Sequence, residues 1–192
     1  MILLQKQLLL ASNSPRRKQL LADAGFEFDV EVIPTDESFP QDIDPKNVSS
    51  YISREKAEFF QKKHAGRLVL TADTVVIAGQ HILAKPGNAA EAFEMIKMLS
   101  GNRHEVVTAV SLLHGDHIET VSDTAQVYFR KLEDVEINYY IDNYKPFDKA
   151  GSYGIQEWIG MIGIERIEGS FYTIMGLPVH IVYNMLRPFF RR

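Results

Sequence analysis

The sequence predicts an α/β protein in which helices flank a mixed β-sheet. Apolar runs typical of strands alternate with segments of helical spacing along most of the chain. Two predicted strands, 106–113 and 117–129, are joined by a His-Gly-Asp turn and should pair as a hairpin. The 192 residues are 45% apolar, and a chain of this length buries ~70% of its unfolded surface. One domain is therefore expected.

The chain begins with a short strand and a capped helix. Leu8 to Ala11 is an apolar run that ends at Ser-Asn-Ser-Pro, which is typical of a strand stopping at a turn. Pro15 suits the first position of a helix with Ser14 as its N-cap, and we expect this helix to run to about Gly25. Residues 28–34 are then predicted to form a strand.

The middle of the chain predicts two further helices around a central strand. A helix capped by Asp44 should run over 45–63, since Pro45 fits its first position. The β-branched run 68–77 predicts the strand. Asn88 can cap a third helix, which Gly101 would close.

After the hairpin, helices and strands are again predicted to alternate along the chain. Helical spacing over 132–144 predicts a helix. A loop rich in Gly and Lys follows, then a predicted strand near 162–167 and a last helix over 177–186.

Composition and charge exclude several kinds of protein. The chain has no cysteine, which removes disulfide frameworks, thiolate nucleophiles and thiolate metal sites. Its net charge of −4 does not favour nucleic acid as a partner. The apolar stretch 68–84 is interrupted by Asp73 and is shorter than the about 20 residues of a membrane span. We expect a cytoplasmic protein with no nucleic-acid or membrane partner.

The first candidate site is Ser12-Asn-Ser-Pro-Arg-Arg, directly after the first strand. Arg16 and Arg17 would sit near the positive end of the helix dipole, a local cost of ~0.3–1 kcal/mol each. A bound anion removes that cost, because backbone N–H groups, the hydroxyls of Ser12 and Ser14 and both guanidinium groups would converge on it. We favour a phosphate site; the alternative is that both arginines point into solvent.

The second candidate is Asp73, which lies inside the apolar run 68–77. An ionised carboxylate there is costly unless a metal, a cation or hydrogen bonds hold it. Thr71 and Thr74 flank it and could supply hydroxyls. Asp73 is interpreted as a metal ligand or general base; the alternative is a carboxylate turned outward at a strand end.

Lys56 is an ambiguous candidate on the second predicted helix. It lies four residues from both Ile52 and Phe60, while Glu55 lies closer to the apolar stripe. From the residues alone, we favour the interpretation in which Lys56 extends its ammonium into solvent and Glu55 is held by an ion pair at the edge of the core.

Three further residues give weaker signals. Lys85 lies in a loop beyond the Asp73 strand, where ligand-binding groups gather in α/β proteins. The amide of Gln156 could both donate to and accept from a planar base, or simply face solvent. Glu37 could add a second carboxylate to a metal, although nothing local distinguishes it from Asp36.

Seven short segments between Leu8 and Leu186 form an ordered pattern. They are Leu10-Ala-Ser-Asn-Ser-Pro-Arg-Arg-Lys-Gln-Leu-Leu, Arg54-Glu-Lys-Ala, Thr71-Ala-Asp-Thr-Val-Val, Ala84-Lys-Pro, Leu99-Ser-Gly, Asp148-Lys-Ala-Gly-Ser-Tyr-Gly-Ile-Gln and Gly169-Ser-Phe-Tyr-Thr-Ile-Met-Gly-Leu-Pro. This pattern resembles the Maf family, whose members are nucleoside triphosphate pyrophosphatases.

The resemblance implies a fold, a reaction and a cofactor. The fold would be Maf/ITPase-like, a single domain over residues 1–192 with two lobes and an active-site cleft between them, present as a homodimer. The substrate would be a nucleoside triphosphate, cleaved between its α- and β-phosphates to give a monophosphate and pyrophosphate, so removing unwanted or modified nucleotides. A divalent metal, Mg²⁺ or Mn²⁺, would activate the attacking water.

The resemblance also implies roles for single residues. Asp73 matches the family's proton acceptor, and with Glu37 it would hold the metal. Three residues match positions associated with substrate choice: Arg16, Thr74 and Gln156. Ser12, Arg17, Lys56 and Lys85 match other substrate-binding positions in the pocket. With these matches, Lys56 and Gln156 are predicted to be functional.

The segment Tyr153-Gly-Ile-Gln resembles the branch that acts on dTTP and UTP. One departure follows it: Glu157 and Trp158 stand where a small residue is usual, and Trp158 could narrow the base pocket or stack on the base. A sister branch that prefers 7-methyl-GTP carries a different segment there, and remains the alternative within the family.

A non-catalytic regulator of cell division that binds a nucleotide is the alternative outside the enzymes. Its best support is the basic, aromatic tail Arg187-Pro-Phe-Phe-Arg-Arg. The interpretation that we favour for this tail is a frayed terminus whose phenylalanines dock on the core.

Overall fold

A computed structural model describes residues 2–33, 37–61, 63 and 66–191. The strands, in chain order, are β1 (Leu8–Leu10), β2 (Asp29–Val30), β3 (Leu68–Ala78), β4 (His81–Leu83), β5 (Arg103–His114), β6 (His117–Phe129) and β7 (Ile164–Glu168). The helices are α1 (Pro15–Asp23), α2 (Pro45–Gln61), α3 (Ala89–Leu99), α4 (Asp134–Tyr144), α5 (Trp158–Gly163), α6 (Phe171–Met175) and α7 (Val179–Leu186), with 3₁₀ turns at Ala150–Ser152 and Arg187–Phe189.

The strands form one seven-stranded mixed sheet in the order β2-β1-β3-β5-β6-β7, with β4 paired to β3. Strand β1 is parallel to both neighbours, with Leu9 opposite Asp29 on one side and Val69 on the other. Strands β3 and β4 are antiparallel, as are β6 and β7. The predicted α/β class with a mixed sheet flanked by helices is confirmed.

The chain divides into two compact units. Unit 1 comprises Met1–Asp73, Thr108–Asp123 and Gly176–Arg192, and unit 2 comprises Thr74–Val107 and Thr124–Met175. Each unit has its own apolar core. In unit 1, helix α2 packs on the sheet through Leu9, Ala57, Phe60, Val69 and Leu113. In unit 2 the core joins α3, α4 and β6 through Ala92, Ile96, Leu99, Val127, Phe129, Ile137, Tyr140 and Ile141.

Helix caps fix the starts of α1 and α3 where the sequence predicts them. The Ser14 side chain accepts from the backbone N–H of Arg17, with Pro15 at the first helical position. Asn88 Oδ1 accepts from the N–H of Glu91. Gly101, just past α3, has φ +72°, a backbone conformation that glycine adopts without strain.

The structure corrects several predicted boundaries. The predicted strand 162–167 is wrong for its first two residues, which belong to α5. Gly163 allows α5 to pack closely, because a Cβ there would lie 3.0 Å from the Phe129 ring. Strand β2 has only two residues, and Pro34, predicted at its end, lies outside the described residues.

The sequence also missed β4, α5 and α6, which are short. They have three, six and five residues, too few for hydrophobic periodicity to reveal them. None of the helices among the described residues combines the length and the apolar character needed to cross a bilayer.

Candidate active site

Lys56 joins two carboxylates in unit 1. Its Nζ lies 2.8 Å from Glu37 Oε1 and 3.0 Å from Asp73 Oδ1. The Lys56 and Asp73 side chains are 13% and 11% exposed, whereas that of Glu37 is 49% exposed. The interpretations in which Lys56 extends into solvent and Asp73 turns outward at a strand end are therefore wrong.

Hydroxyl groups near this ion pair hold α2 against β3 and β5. Thr71 Oγ1 donates to the Ser53 carbonyl at 2.6 Å, and Ser53 Oγ lies 2.8 Å from Ser111 Oγ. Ser53 precedes Lys56 by three residues on the helix, and Thr71 precedes Asp73 by two on the strand. Each pair shares one face of its element. These contacts fix the register that brings Lys56 to Asp73.

Arg17 binds the backbone on both sides of this site. Its Nε donates to the Gly176 carbonyl at 2.8 Å, and Nη1 donates to the Ala72 carbonyl at 2.9 Å. Nη1 also lies 3.4 Å from the hydroxyl of Ser12, which is buried. The alternative in which both arginines point into solvent is wrong for Arg17. Its guanidinium group is fixed next to the residue preceding Asp73.

Burial determines the electrostatics of the site. It raises the pKa of Asp73, and although Lys56 and Arg17 lower that pKa, burial outweighs them. Burial also lowers the pKa of Arg17, Asp73 opposes this effect, and the neighbouring charge of Arg16 adds to it. An arginine remains protonated despite such a shift. Asp73 is thus a carboxylate with a raised pKa among cations, a property typical of general bases.

Of the other predicted residues, Arg16 lies in α1 of unit 1, and the remaining three, Thr74, Lys85 and Gln156, belong to unit 2. Thr74 follows Asp73 in β3 and is half-buried, and Lys85 is exposed in the loop after β4. Gln156 is exposed in a tight turn in which the Glu157 N–H donates to the Gly154 carbonyl at 3.0 Å. Within unit 1 the structure brings together Ser12, Arg17, Glu37, Lys56 and Asp73.

The sequence matches one known family over almost its whole length. Residues 7–189 match the model of a family described as Maf-like protein. The chain belongs to the Maf family.

Curated Maf relatives cover almost the whole chain. Proteins named dTTP/UTP pyrophosphatase from Parabacteroides distasonis, Porphyromonas gingivalis and Cytophaga hutchinsonii are 48%, 47% and 44% identical to it. Each alignment covers 95% of this chain, and 96%, 94% and 84% of the respective relatives. A solved structure of a HAM1 protein from Coxiella burnetii aligns over 65% of this chain and 73% of its own, at 14% identity and a TM-score of 0.42.

The donor set of this Maf chain fits a divalent metal. Glu37 and Asp73 offer carboxylate oxygens close enough to share one ammonium group. Mg²⁺ is commonly held by one or two carboxylates together with substrate phosphates. The described residues contain no cluster of three or more acidic or histidine side chains able to hold a metal alone. Asp36, the other acidic residue considered in this loop, lies outside the described residues.

Unit 2 contains a buried ionic cluster that was not predicted from the sequence. Lys149 is 7% exposed, and its Nζ lies 3.1 Å from Glu157 Oε1 and 2.7 Å from Asp148 Oδ1. The Tyr140 hydroxyl donates to the other Glu157 oxygen. The one sequence signal was the departure from the family pattern at Glu157. Next to it, Trp158 packs on Tyr139, with ring centroids 4.7 Å apart.

The C-terminal tail docks on unit 1. The Phe190 ring lies 6.2 Å from that of Phe26 and 5.2 Å from that of Tyr183, and Phe189 lies 5.1 Å from His114. Arg191 Nε donates to the Leu4 carbonyl at 2.8 Å. The interpretation in which the phenylalanines pack on the core is confirmed.

Proposed function

We propose that this Maf chain hydrolyses dTTP and UTP to the nucleoside monophosphate and pyrophosphate. The observation that carries the proposal is the set of relatives of that name, which are 44–48% identical over 95% of the chain. The buried Asp73 with its surrounding cations is the chemistry such a reaction needs.

Asp73 acts as the proton acceptor in the proposed reaction. A water oxygen forms a bond to the α-phosphorus, the bond from that phosphorus to the bridging oxygen breaks, and pyrophosphate leaves. Asp73 takes the proton of the attacking water. Because burial raises its pKa, the Asp73 carboxylate is a stronger base than that of an exposed aspartate.

Fixed positive charge supports the leaving group. The proposal assigns Arg16, Arg17, Lys56 and Lys85 to the triphosphate, with the Ser12 hydroxyl beside them. Arg17 cannot swing freely, because its guanidinium group already donates to two backbone carbonyls. Such a fixed cation stabilises developing negative charge without reorganising during the reaction.

Asp73 and Glu37 are the residues that would hold Mg²⁺ or Mn²⁺. A bound divalent cation supplies charge neutralisation at the phosphates and lowers the pKa of a water molecule. Lys56 lies between the two carboxylates and keeps them together.

Gln156 and Thr74 are assigned to substrate choice. The Gln156 amide offers one donor and one acceptor, which complement the O4 and N3–H groups of uracil and thymine.

A single domain with two lobes around a cleft, the homodimer and the cytoplasmic location remain predictions from the resemblance and the composition. The regulator hypothesis loses its best support, because the aromatic tail is docked.

The test is pyrophosphate release from dTTP, UTP, CTP, GTP and 7-methyl-GTP with Mg²⁺ or Mn²⁺, for the native chain and for Asp73→Asn. We expect dTTP and UTP to be the best substrates and Asp73→Asn to lose ~10²-fold or more in turnover. Asp142→Asn, an exposed site on α4, is the matched control. Preference for 7-methyl-GTP would overturn the assignment of the branch, and no release from any nucleotide would overturn the proposed activity.

A further inference from the structure

The Glu157 side chain links the turn that carries Gln156 to the core of unit 2 by polar contacts. Both Glu157 carboxylate oxygens point inward: Oε1 lies 3.1 Å from Lys149 Nζ, and Oε2 accepts from the Tyr140 hydroxyl. That hydroxyl accepts in turn from the Gly154 N–H at 3.0 Å. These four residues, Tyr140, Lys149, Gly154 and Glu157, are called the Glu157 cluster below.

The backbone of Glu157 fixes the same turn. Its N–H donates to the Gly154 carbonyl, which places Ile155 and Gln156 at the two central positions. Its carbonyl accepts from the N–H groups of Gly160 and Met161 at the start of α5. The Glu157 side chain makes no capping hydrogen bond to α5 and is directed to Tyr140 and Lys149 instead. Both ends of the turn are therefore held by the Glu157 cluster.

The side chains of the Glu157 cluster are mostly buried, although Gln156 in the same turn is exposed. Lys149 is 7% exposed, Tyr140 is 0% exposed, and the Glu157 side chain is 19% exposed. Charges in such surroundings are stable only when each has its partner. Burial and the adjacent Glu157 both raise the pKa of Tyr140, so this hydroxyl stays protonated and keeps donating.

We propose that Glu157 is a positioning residue which, through Tyr140 and Lys149, holds the Gln156 turn and thereby sets selectivity between pyrimidine nucleotides. The inference rests on the proposed function, because it assumes that Gln156 contacts the base. Uracil offers an acceptor at O4 and a donor at N3, whereas cytosine offers the reverse. A glutamine amide rotated by half a turn offers the reverse pattern too. Rejection of CTP therefore requires an amide held in one place and one orientation.

Three variants perturb the cluster in different ways. Glu157→Gln removes the charge opposite Lys149, and Tyr140→Phe removes the hydroxyl that joins Gly154 to Glu157. Gly154→Ala keeps the chemical identity of the Tyr140, Lys149 and Glu157 side chains, but its Cβ would lie 2.8 Å from Glu157 Cδ and must displace that carboxylate. Glu94→Gln, at an exposed position of α3, makes the same charge change outside the cluster and is the control.

The experiment measures kcat and KM for UTP, dTTP and CTP with each variant, after thermal unfolding confirms that it folds. For Glu157→Gln and Gly154→Ala we expect KM for UTP and dTTP to rise about fivefold or more with kcat within about twofold. The ratio of kcat/KM for UTP over CTP should fall about fivefold or more. Glu94→Gln should match the native chain. Trp158, the chain's one tryptophan, adjoins Glu157 and reports the state of the turn by fluorescence.

The outcomes separate the inference from the activity on which it rests. An inactive native chain overturns the proposed function and the inference with it. A native chain active on UTP and dTTP, with folded variants that keep its KM values and selectivity, overturns the inference alone. An equal loss for all three nucleotides also overturns it, since that result assigns the cluster to stability. If Tyr140→Phe or Glu157→Gln does not fold, Gly154→Ala decides the question.

Discussion

Lys56 Nζ lies 3.0 Å from Asp73 Oδ1. The two residues are 17 positions apart in the chain, Lys56 in helix α2 and Asp73 in strand β3. Two effects act on that carboxylate in opposite directions. Burial disfavours its charge, and the ammonium group favours it. Burial outweighs the cation, so the pKa of Asp73 is raised. Ionising Asp73 in this environment therefore costs free energy, and such perturbed carboxyl groups are common at functional sites.

Removing the cation should shift the pH dependence of turnover. In Lys56→Met nothing at this position opposes burial, so the pKa of Asp73 rises further and the acid limb of the kcat/KM profile moves to higher pH. We expect kcat/KM at neutral pH to fall by about tenfold or more. Rate profiles between pH 5 and 9 provide the measurement, with the exposed Lys131→Met as control. An acid limb at the native position would contradict this role for Lys56.

Removing the charge of Asp73 should stabilise the fold at neutral pH. A carboxyl whose pKa is higher in the folded state than in the unfolded state binds more protons when folded, so its contribution to stability falls as pH rises between those two pKa values. Asp73→Asn should therefore have a higher free energy of unfolding than the native chain at pH 7. The difference should shrink as the pH falls toward the ordinary aspartate value. Urea unfolding at pH 4 and pH 7 measures it; a less stable variant at pH 7 would refute the sign.

His104 should make the fold sensitive to acid. It is 2% exposed, its Nε2 lies 2.7 Å from the Tyr153 hydroxyl, and burial lowers its pKa to about 4. A histidine with a depressed pKa binds fewer protons when folded. Its contribution to stability is thus complete above the unfolded value near 6.5 and is lost as pH falls toward about 4.

The test of His104 compares how steeply the free energy of unfolding changes with pH in the native chain and in a variant. One such group changes the free energy of unfolding by at most about 1.4 kcal/mol per pH unit. In His104→Gln this component should disappear between pH 6.5 and 4, while the rest of the pH dependence of the free energy of unfolding remains. Urea titrations at four pH values give both slopes. Identical slopes would show that His104 does not titrate on unfolding.

Local chemistry made much of the fold predictable. Ser14 with Pro15, and Asn88 with Gly101, are helix signals that depend on adjacent residues alone, and the structure confirms them. The failures involve short elements: β4, α5 and α6 have three, six and five residues, too few to show a periodic pattern. The two residues of β2 depend on pairing with β1.

Candidate residues for the site could be chosen from the sequence, but the contacts between their side chains could not. Asp73 was recognisable because a charge interrupts an apolar strand. Its partner Lys56 was ambiguous, because helical spacing alone does not say which neighbour a flexible side chain meets. The Lys149–Glu157 pair joins residues on either side of a loop, so only the folded chain reveals it.

Arg17 should be irreplaceable even by lysine. Its guanidinium group donates in two directions, from Nε to the Gly176 carbonyl and from Nη1 to the Ala72 carbonyl. A lysine ammonium is a single point on a flexible stem and cannot reproduce that fork. Arg17→Lys leaves at least one of these carbonyls without its charged donor, a cost of about 1–3 kcal/mol. Because Ala72 precedes Asp73, kcat/KM should also fall by about tenfold or more.

Urea unfolding and UTP hydrolysis measure both effects, and Arg67→Lys serves as a control away from Asp73. Native-like values of both for Arg17→Lys would show that charge alone, rather than the two-way hydrogen bonding of the guanidinium group, is what this position requires.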